Sequence, residues 1–299
     1  MFERKINSFF CVNVRRYDPD RDFNLVCPAS LTYPKNNSVM FVTSPFLSKI
    51  SVLESVRNCL VYIPCGTILS ESLKEKHVFV LCENPHTEFC KFFKENRIQY
   101  LPSKESGKII GGAWIADSAQ IGENVTIMPG AYIGGQCFIG NDVYIGCGTK
   151  LVGEIYIGEN VIIRENTVIG VDGLTTDRLE DGTAVTMPQF GCVILEDNVQ
   201  IGANTTIARG AIDFTIIRRG AKIDNNCFVS HNVDIGEDSF VVGETILFGS
   251  SSVGRQSMIS GNSTIRNGIH IGDHALVGMG SVVVKPVSGN TVVKGNPAK

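Results

Sequence analysis

Ile109-Ile-Gly-Gly-Ala-Trp-Ile115-Ala-Asp-Ser-Ala-Gln-Ile121-Gly-Glu-Asn-Val-Thr-Ile127-Met-Pro-Gly-Ala-Tyr-Ile133 opens a run in which every sixth residue is aliphatic. The beat continues through Ile139, Ile145, Leu151, Ile157 and Ile163 to Ile169, and returns at Leu195, Ile201 and Ile207. It then slips by four residues and holds from Ile217 to Val283. Neither the 3.6-residue helical period nor plain two-residue strand alternation produces a strict six. A period of six marks a parallel β-helix, in which short flat strands alternate with tight corners and each coil stacks on the last. Three hexads make an eighteen-residue triangular coil, so the twenty-six beats predict eight to nine coils. Gly follows the aliphatic position repeatedly (Gly122, Gly140, Gly146, Gly158, Gly202, Gly236, Gly272), and Asn sits two residues later at Asn124, Asn160 and Asn204. Both residue types tolerate positive φ, which frequent corners require.

Outside this run the sequence reads differently. Residues 1–104 lack the beat. Val39–Val42, Cys59–Ile63 and His77–Leu81 read as buried strands, and Pro45–Val56 and Pro85–Asn96 as helices, each opened by a proline. We therefore expect a small α/β domain over 1–104, a linker at Pro102-Ser-Lys-Glu-Ser-Gly107 and a β-helix over 105–299. An excursion loop should interrupt the β-helix at 170–191, because Gly170-Val-Asp-Gly-Leu-Thr-Thr-Asp carries turn residues and no aliphatic period. Inserted loops in solenoids commonly build binding faces.

Composition bounds the function. A formal charge of −3 argues against a nucleic-acid binder, which needs a basic surface. The ten cysteines are scattered without a CxxC pair, which fits reduced thiols and a cytoplasmic location. The first twenty residues include Arg4, Lys5, Arg15 and Arg16 and no unbroken apolar run, so neither a leader nor a membrane span is expected.

The hexad pattern resembles the left-handed β-helix of the hexapeptide acyltransferases, and the handedness is carried over from that likeness. From the break onward the resemblance narrows. Met187-Pro-Gln-Phe-Gly191, Ile201-Gly-Ala-Asn-Thr-Thr-Ile-Ala-Arg-Gly-Ala-Ile-Asp213, Lys222-Ile-Asp-Asn225 and Ser230-His-Asn-Val-Asp-Ile-Gly236 resemble, in order, the UDP-3-O-acylglucosamine N-acyltransferases of lipid A synthesis. Val39-Met-Phe-Val-Thr-Ser-Pro45 and Glu83-Asn-Pro85 resemble that family's uridine-binding domain.

The resemblance implies His231 as general base, a role that suits an imidazole half-neutral near physiological pH. Gly249 lies eighteen residues on, beside it on the next coil, and the resemblance gives the matching glycine the oxyanion. Asp224, Asn225, Asn232 and, on the adjacent coil, Asp213 are candidates for orienting His231 or gripping the sugar. Alternatively they form a corner ladder that satisfies backbone N–H groups. Phe41 matches the family's uracil-stacking Phe. Its Tyr partner falls on Leu47, with Phe46 as a displaced substitute.

Departures bear on the donor. The family's second histidine after Asn-Gly is Ile269 here, with His270 one place late. The chain ends at Gly295-Asn-Pro-Ala-Lys299, which looks like the terminus of coenzyme A-dependent hexapeptide acetyltransferases. Arg255, Arg266, Lys285, Lys294 and Lys299 could bind coenzyme A phosphates, or be ordinary surface charge. The reading is thus a homotrimeric N-acyltransferase moving an acyl group from a thioester to a nucleotide-linked amino sugar. Short-chain acyl-CoA is the expected donor, and no metal is needed. The alternative is the lipid A enzyme using acyl carrier protein. A γ-carbonic-anhydrase-like zinc enzyme built on His231, His270 and His274, or a non-enzymatic solenoid, are remoter alternatives.

Overall fold

The computed structural model describes residues 8–99 and 104–299. Pro102 and Ser103 of the expected linker lie outside the described residues. The chain forms two compact units: Met1–Leu101 with Leu174–Phe190, and Pro102–Gly173 with Gly191–Lys299. Most of the excursion therefore groups with the N-terminal residues and not with the β-helix that it interrupts.

In the second unit short parallel strands stack into three sheets, the sides of a triangular coil. A first side runs from Ala113–Ala116 to Val282–Val283, a second from Gln120–Ile121 to His270–Ile271, and a third from Thr126–Ile127 to Val292–Val293. Pairing is in register at eighteen residues, as in Thr126↔Tyr144 and Tyr144↔Ile162. The two irregularities stretch it. Ile162 pairs with Gln200 across the excursion, and Gln200 pairs with Lys222 across the four-residue slip. The inward beat residues fill the interior, and Ile133, Ile145, Leu151, Ile157, Ile201, Val229 and Leu247 are fully buried. Ile109 departs from the expected series: it lies in Gly107–Ile110, an antiparallel partner of Ala113–Ala116, and is exposed. With no coil below it, that position has no interior to enter.

The corners divide their labour differently from expectation. The Asn residues take the left-handed backbone (Asn124 φ 56°, Asn160 φ 54°, Asn204 φ 55°). The glycines after the beat keep ordinary φ and are needed for space. A Cβ on Gly140 would lie 2.6 Å from the Gly158 carbonyl oxygen, and one on Gly202 2.4 Å from the Asp224 carbonyl carbon. Buried Thr149, Thr167 and Thr205 hydroxyls donate to corner carbonyls of the next coil (2.7–2.9 Å), leaving those oxygens satisfied in a dry interior.

The first unit carries a parallel sheet of Cys27–Pro28, Ser38–Phe41, Leu60–Pro64 and Val78–Cys82. Helix α1 is Glu71–Lys76 and α2 is Pro85–Glu95. Asn84 caps α2 by accepting from the Thr87 N–H, and the helix buries Phe89, Phe92 and Phe93. The segment expected as a helix over Pro45–Val56 is a 3₁₀ stretch, Ser44–Ser55, with one buried side chain, Leu53. Leu47, Ile50 and Leu53 recur every three residues on the side that packs on the core, a spacing that matches the three-residue turn of a 3₁₀ helix. From the excursion, Thr176–Arg178 and Ala184–Thr186 pair as an antiparallel hairpin. Phe190 packs on Phe9 and Phe93, with ring centroids 5.2 and 5.3 Å away. Among the described residues no helix is long and apolar enough to cross a membrane.

Candidate active site

His231 stands at the corner between the first and second sides, two residues past strand Phe228–Val229. Strand register decides its neighbours. Phe228 pairs with Ile246, which sets Gly249 beside His231, and Thr206 pairs with Phe228, which sets Arg209 on the other side. A plain count of eighteen back from His231 reaches Asp213. The four-residue slip moves Asp213 out of that column, and its carbonyl instead accepts from the Cys192 N–H (3.1 Å).

The imidazole lies between two glycines. A Cβ on Gly249 would be 2.5 Å from His231 Nε2, and one on Gly173 would be 2.7 Å from His231 Cβ and 2.8 Å from Cδ2. Neither glycine has a positive φ, so both are required for room around the ring. The backbone is fixed from beneath: His231 O accepts from Ser250 N–H at 2.9 Å, and Asn232 N–H donates to Thr215 Oγ1 at 3.0 Å. Asn232 has φ 59° and its Oδ1 accepts from the Ala211 N–H at 2.8 Å, so this candidate substrate contact also serves the corner. Gly249 O accepts from both Gly268 N–H and Asn267 Nδ2. A weakly solvated imidazole edge facing an open stretch of backbone can take a proton while a nearby N–H meets a developing oxyanion.

Asp224 and Asn225 follow strand Lys222–Ile223 and so occupy the corner between the third and first sides. Within one chain this is a full side of the triangle from His231, so Asp224 does not orient that ring. Asp224 Oδ2 accepts from Gly243 N–H (3.1 Å) and Asn225 Oδ1 from Ala203 N–H (2.7 Å). Both also line an open groove of about 490 Å³ with Arg164, Lys222, Phe240 and Met258.

The cations do not converge. Arg266 and Lys285 share the His231 corner, in consecutive coils. Arg255 lies at the corner after strand Ser252–Val253 and is ion-paired with Asp273 (3.1 Å), while Lys294 follows Val292–Val293 on the third side. The three histidines weighed for zinc also separate: His270 is in a second-side strand, bonded to Ser252 Oγ (2.8 Å), and His274 is at the following corner. Among the described residues no three His, Cys, Asp or Glu side chains form a metal-sized group.

In the first unit Phe41 ends strand Ser38–Phe41, with its ring 4.9 Å from Phe89 and edge-on to His86 at 5.2 Å. Phe46 is exposed, with Lys49 Nζ 5.8 Å from its centroid. Sequence reading missed the group beside Phe41. Asp177, from the excursion, accepts from Thr87 Oγ1 (2.6 Å) and meets His86 Nδ1 at 2.9 Å. The Thr87 hydrogen bond first, and then His86, hold the Asp177 carboxyl below the usual carboxylate range. No local pattern links residues ninety positions apart. Gly173 and Arg209 were missed for a different reason, since the excursion and the slip hide their register with His231.

Comparison with known proteins agrees with this architecture. The family described as bacterial transferase hexapeptide (six repeats) matches residues 118–148 and 136–170, and the hexapeptide repeat of succinyl-transferase matches 192–231 and 250–285. A UDP-N-acetylglucosamine acyltransferase from Campylobacter jejuni superposes with a TM-score of 0.56 at 22% identity, over 64% of this chain and 73% of that one. The fold is thus the left-handed parallel β-helix that the repeat implies. The UDP-3-O-acylglucosamine N-acyltransferase of Wolinella succinogenes is 36% identical over 135 residues, which span 45% of this chain and 42% of that protein. That of Francisella tularensis is 52% identical over 79 residues, 26% of this chain and 23% of the relative. The chain thus spans less than half the length of these two relatives. The corresponding protein of Campylobacter lari is 43% identical over 227 residues, 74% of this chain and 71% of that protein. Likeness on that scale, joined to the repeat matches and the β-helix, means that the chain belongs to the UDP-3-O-acylglucosamine N-acyltransferase family.

Proposed function

We propose that this protein transfers an acyl group from a thioester to the amine of a UDP-linked amino sugar of the acylglucosamine type. The observation that carries the reading is the His231 corner, where Gly249 leaves the backbone open beside Nε2. The amine attacks the thioester carbonyl, His231 takes the proton released as the C–N bond forms, and the Gly249 N–H stabilises the oxyanion until the thiolate leaves. The thioester is already activated, so this chemistry needs no metal. To take that proton the imidazole must be neutral.

Phe41 supplies the stacking face for the uracil ring in the first unit, with Phe46 nearby in sequence. The protein acts as a homotrimer in the cytoplasm, where acyl thioesters are made. Phe240, Met258, Leu276 and Val292 form an exposed apolar ladder along one flat side, which supports burial against a second copy. Short-chain acyl-CoA is the first donor to test and acyl carrier protein thioesters the second. The dispersal of Arg255, Arg266, Lys285 and Lys294 over three corners removes one argument for coenzyme A. The test is amide formation on UDP-linked amino sugars, with kcat/KM measured for acetyl-, hydroxybutyryl- and long-chain acyl-CoA beside carrier-protein donors. Absence of amide product with every pair would overturn the reading. Sedimentation equilibrium tests the trimer, which an active monomer would exclude.

A further inference from the structure

We infer that the Ala208–Asp213 segment is a clasp that closes both ends of the excursion and thereby seats Gly173 against the His231 ring, making Arg209, Asp172 and Gly173 positioning residues for the base. The inference rests on the reading of His231 given above.

The two irregularities of the repeat meet in space. The chain leaves the β-helix at a register shift between Ile169 and Val171. Gly170 has φ 89° there, and a Cβ on it would fall 1.9 Å from the Val152 carbonyl oxygen. Asp172 then pairs with the Arg209 guanidinium. Arg209 is 3% exposed, and its backbone N–H donates to Val171 O at 2.9 Å. The chain re-enters at Gly191, whose N–H donates to Gly210 O at 3.0 Å, followed by Cys192 N–H to Asp213 O at 3.1 Å. A Cβ on Gly191 would come within 2.2 Å of Gly210 O, so the closure is tight. Ala211 N–H, in the same segment, donates to Asn232 Oδ1 beside His231. Arg209 and the four inserted residues that follow it, Gly210–Asp213, thus hold the exit, the re-entry and the residue after the base.

The consequence falls on the ring. Gly173 is the next residue after the clasped Asp172, and its missing side chain would strike His231 at Cβ, near the root of the side chain, where rotation gives no escape. Breaking an ion pair whose guanidinium is buried is costly, so the pair resists opening. Displacing a general base by a fraction of an ångström lowers turnover without weakening substrate binding.

The experiment uses the full chain with Gly173→Ala, Asp172→Asn, Arg209→Lys and, as a neighbouring control, Leu174→Ala. The His231 imidazole NMR resonances, assigned by their loss in His231→Ala, report ring placement independently of activity. We expect Gly173→Ala and Asp172→Asn to shift those resonances and lower kcat about tenfold, with KM for the sugar nucleotide within about twofold. Arg209→Lys should fall between them and wild type, and Leu174→Ala should match wild type. If Asp172→Asn fails to fold, Gly173→Ala decides alone. Unchanged His231 resonances and kcat in Gly173→Ala would overturn the clasp. Wild-type protein that makes no amide would instead sink the transferase reading, with the resonances still testing the clasp.

Discussion

The corner between the second and third sides and the corner that holds His231 are built from the same coil and do opposite things with it. At the former, side chains bind backbone: Asn141 Oδ1 accepts from Glu123 N–H, Asp197 Oδ1 from Glu159 N–H, and Asp273 Oδ1 from Arg255 N–H, at 2.8–3.0 Å. Each coil there caps the one before, and the carboxylate or amide is spent on the fold. At the His231 corner the pattern is broken by Arg209, His231 and Gly249, and the histidine is flanked by residues without side chains. On the proposed reading of His231, the repeat frees a side chain for chemistry where it stops using that side chain as a cap.

Substitutions can break this contrast. The largest effect is expected for His231→Ala, which should lower kcat about a hundredfold or more while the unfolding midpoint stays close to wild type. Purified mutant keeping more than about a third of wild-type turnover would assign the base elsewhere. Gly249→Ala comes next. Its Cβ would sit 2.5 Å from Nε2, so the ring must move, and we expect kcat to fall about tenfold or more with little change in stability. A variant with full activity would show that the ring has room to spare.

Asp197→Ala sharpens the comparison from the other corner. It removes the acceptor of the Glu159 N–H and should cost about 1 kcal/mol or less in denaturant unfolding, with kcat unchanged. A loss of activity at equal stability would erase the distinction between the two corners. The smallest effect concerns the interior. Burial pushes the Cys137 thiol up to about 12, so it stays protonated at pH 8, while Cys147 is exposed at a corner. Iodoacetamide should label Cys147 and leave Cys137 unmodified in native protein; rapid labelling of Cys137 would mean that the coils open readily.

Much of the architecture was legible because a solenoid is close to one-dimensional. Each coil touches only its neighbours, so a residue eighteen positions on is a spatial neighbour, and Gly249 could be set beside His231 by counting. The count fails where the chain inserts residues. Asp213 is eighteen positions before His231 and is displaced by the slip, while Arg209, twenty-two before, takes the place. Asp224 is a different case: no residue is inserted between it and His231, and its place one hexad earlier already puts it at the preceding corner, a full side of the triangle away.

By itself, then, the sequence determined the β-helix, its inward columns and the Asn corners with left-handed backbone, because period and backbone preference are local properties. Tertiary structure alone decided what the irregular segments do. It decided that the excursion groups with the N-terminal unit and gives Asp177 to His86 and Thr87. It decided that Arg209 meets Asp172, that Gly173 lies on the His231 ring, and that the corner glycines serve space and not φ. These contacts join residues separated by insertions of arbitrary length. Their formation depends on close packing of the folded chain, which no periodicity encodes.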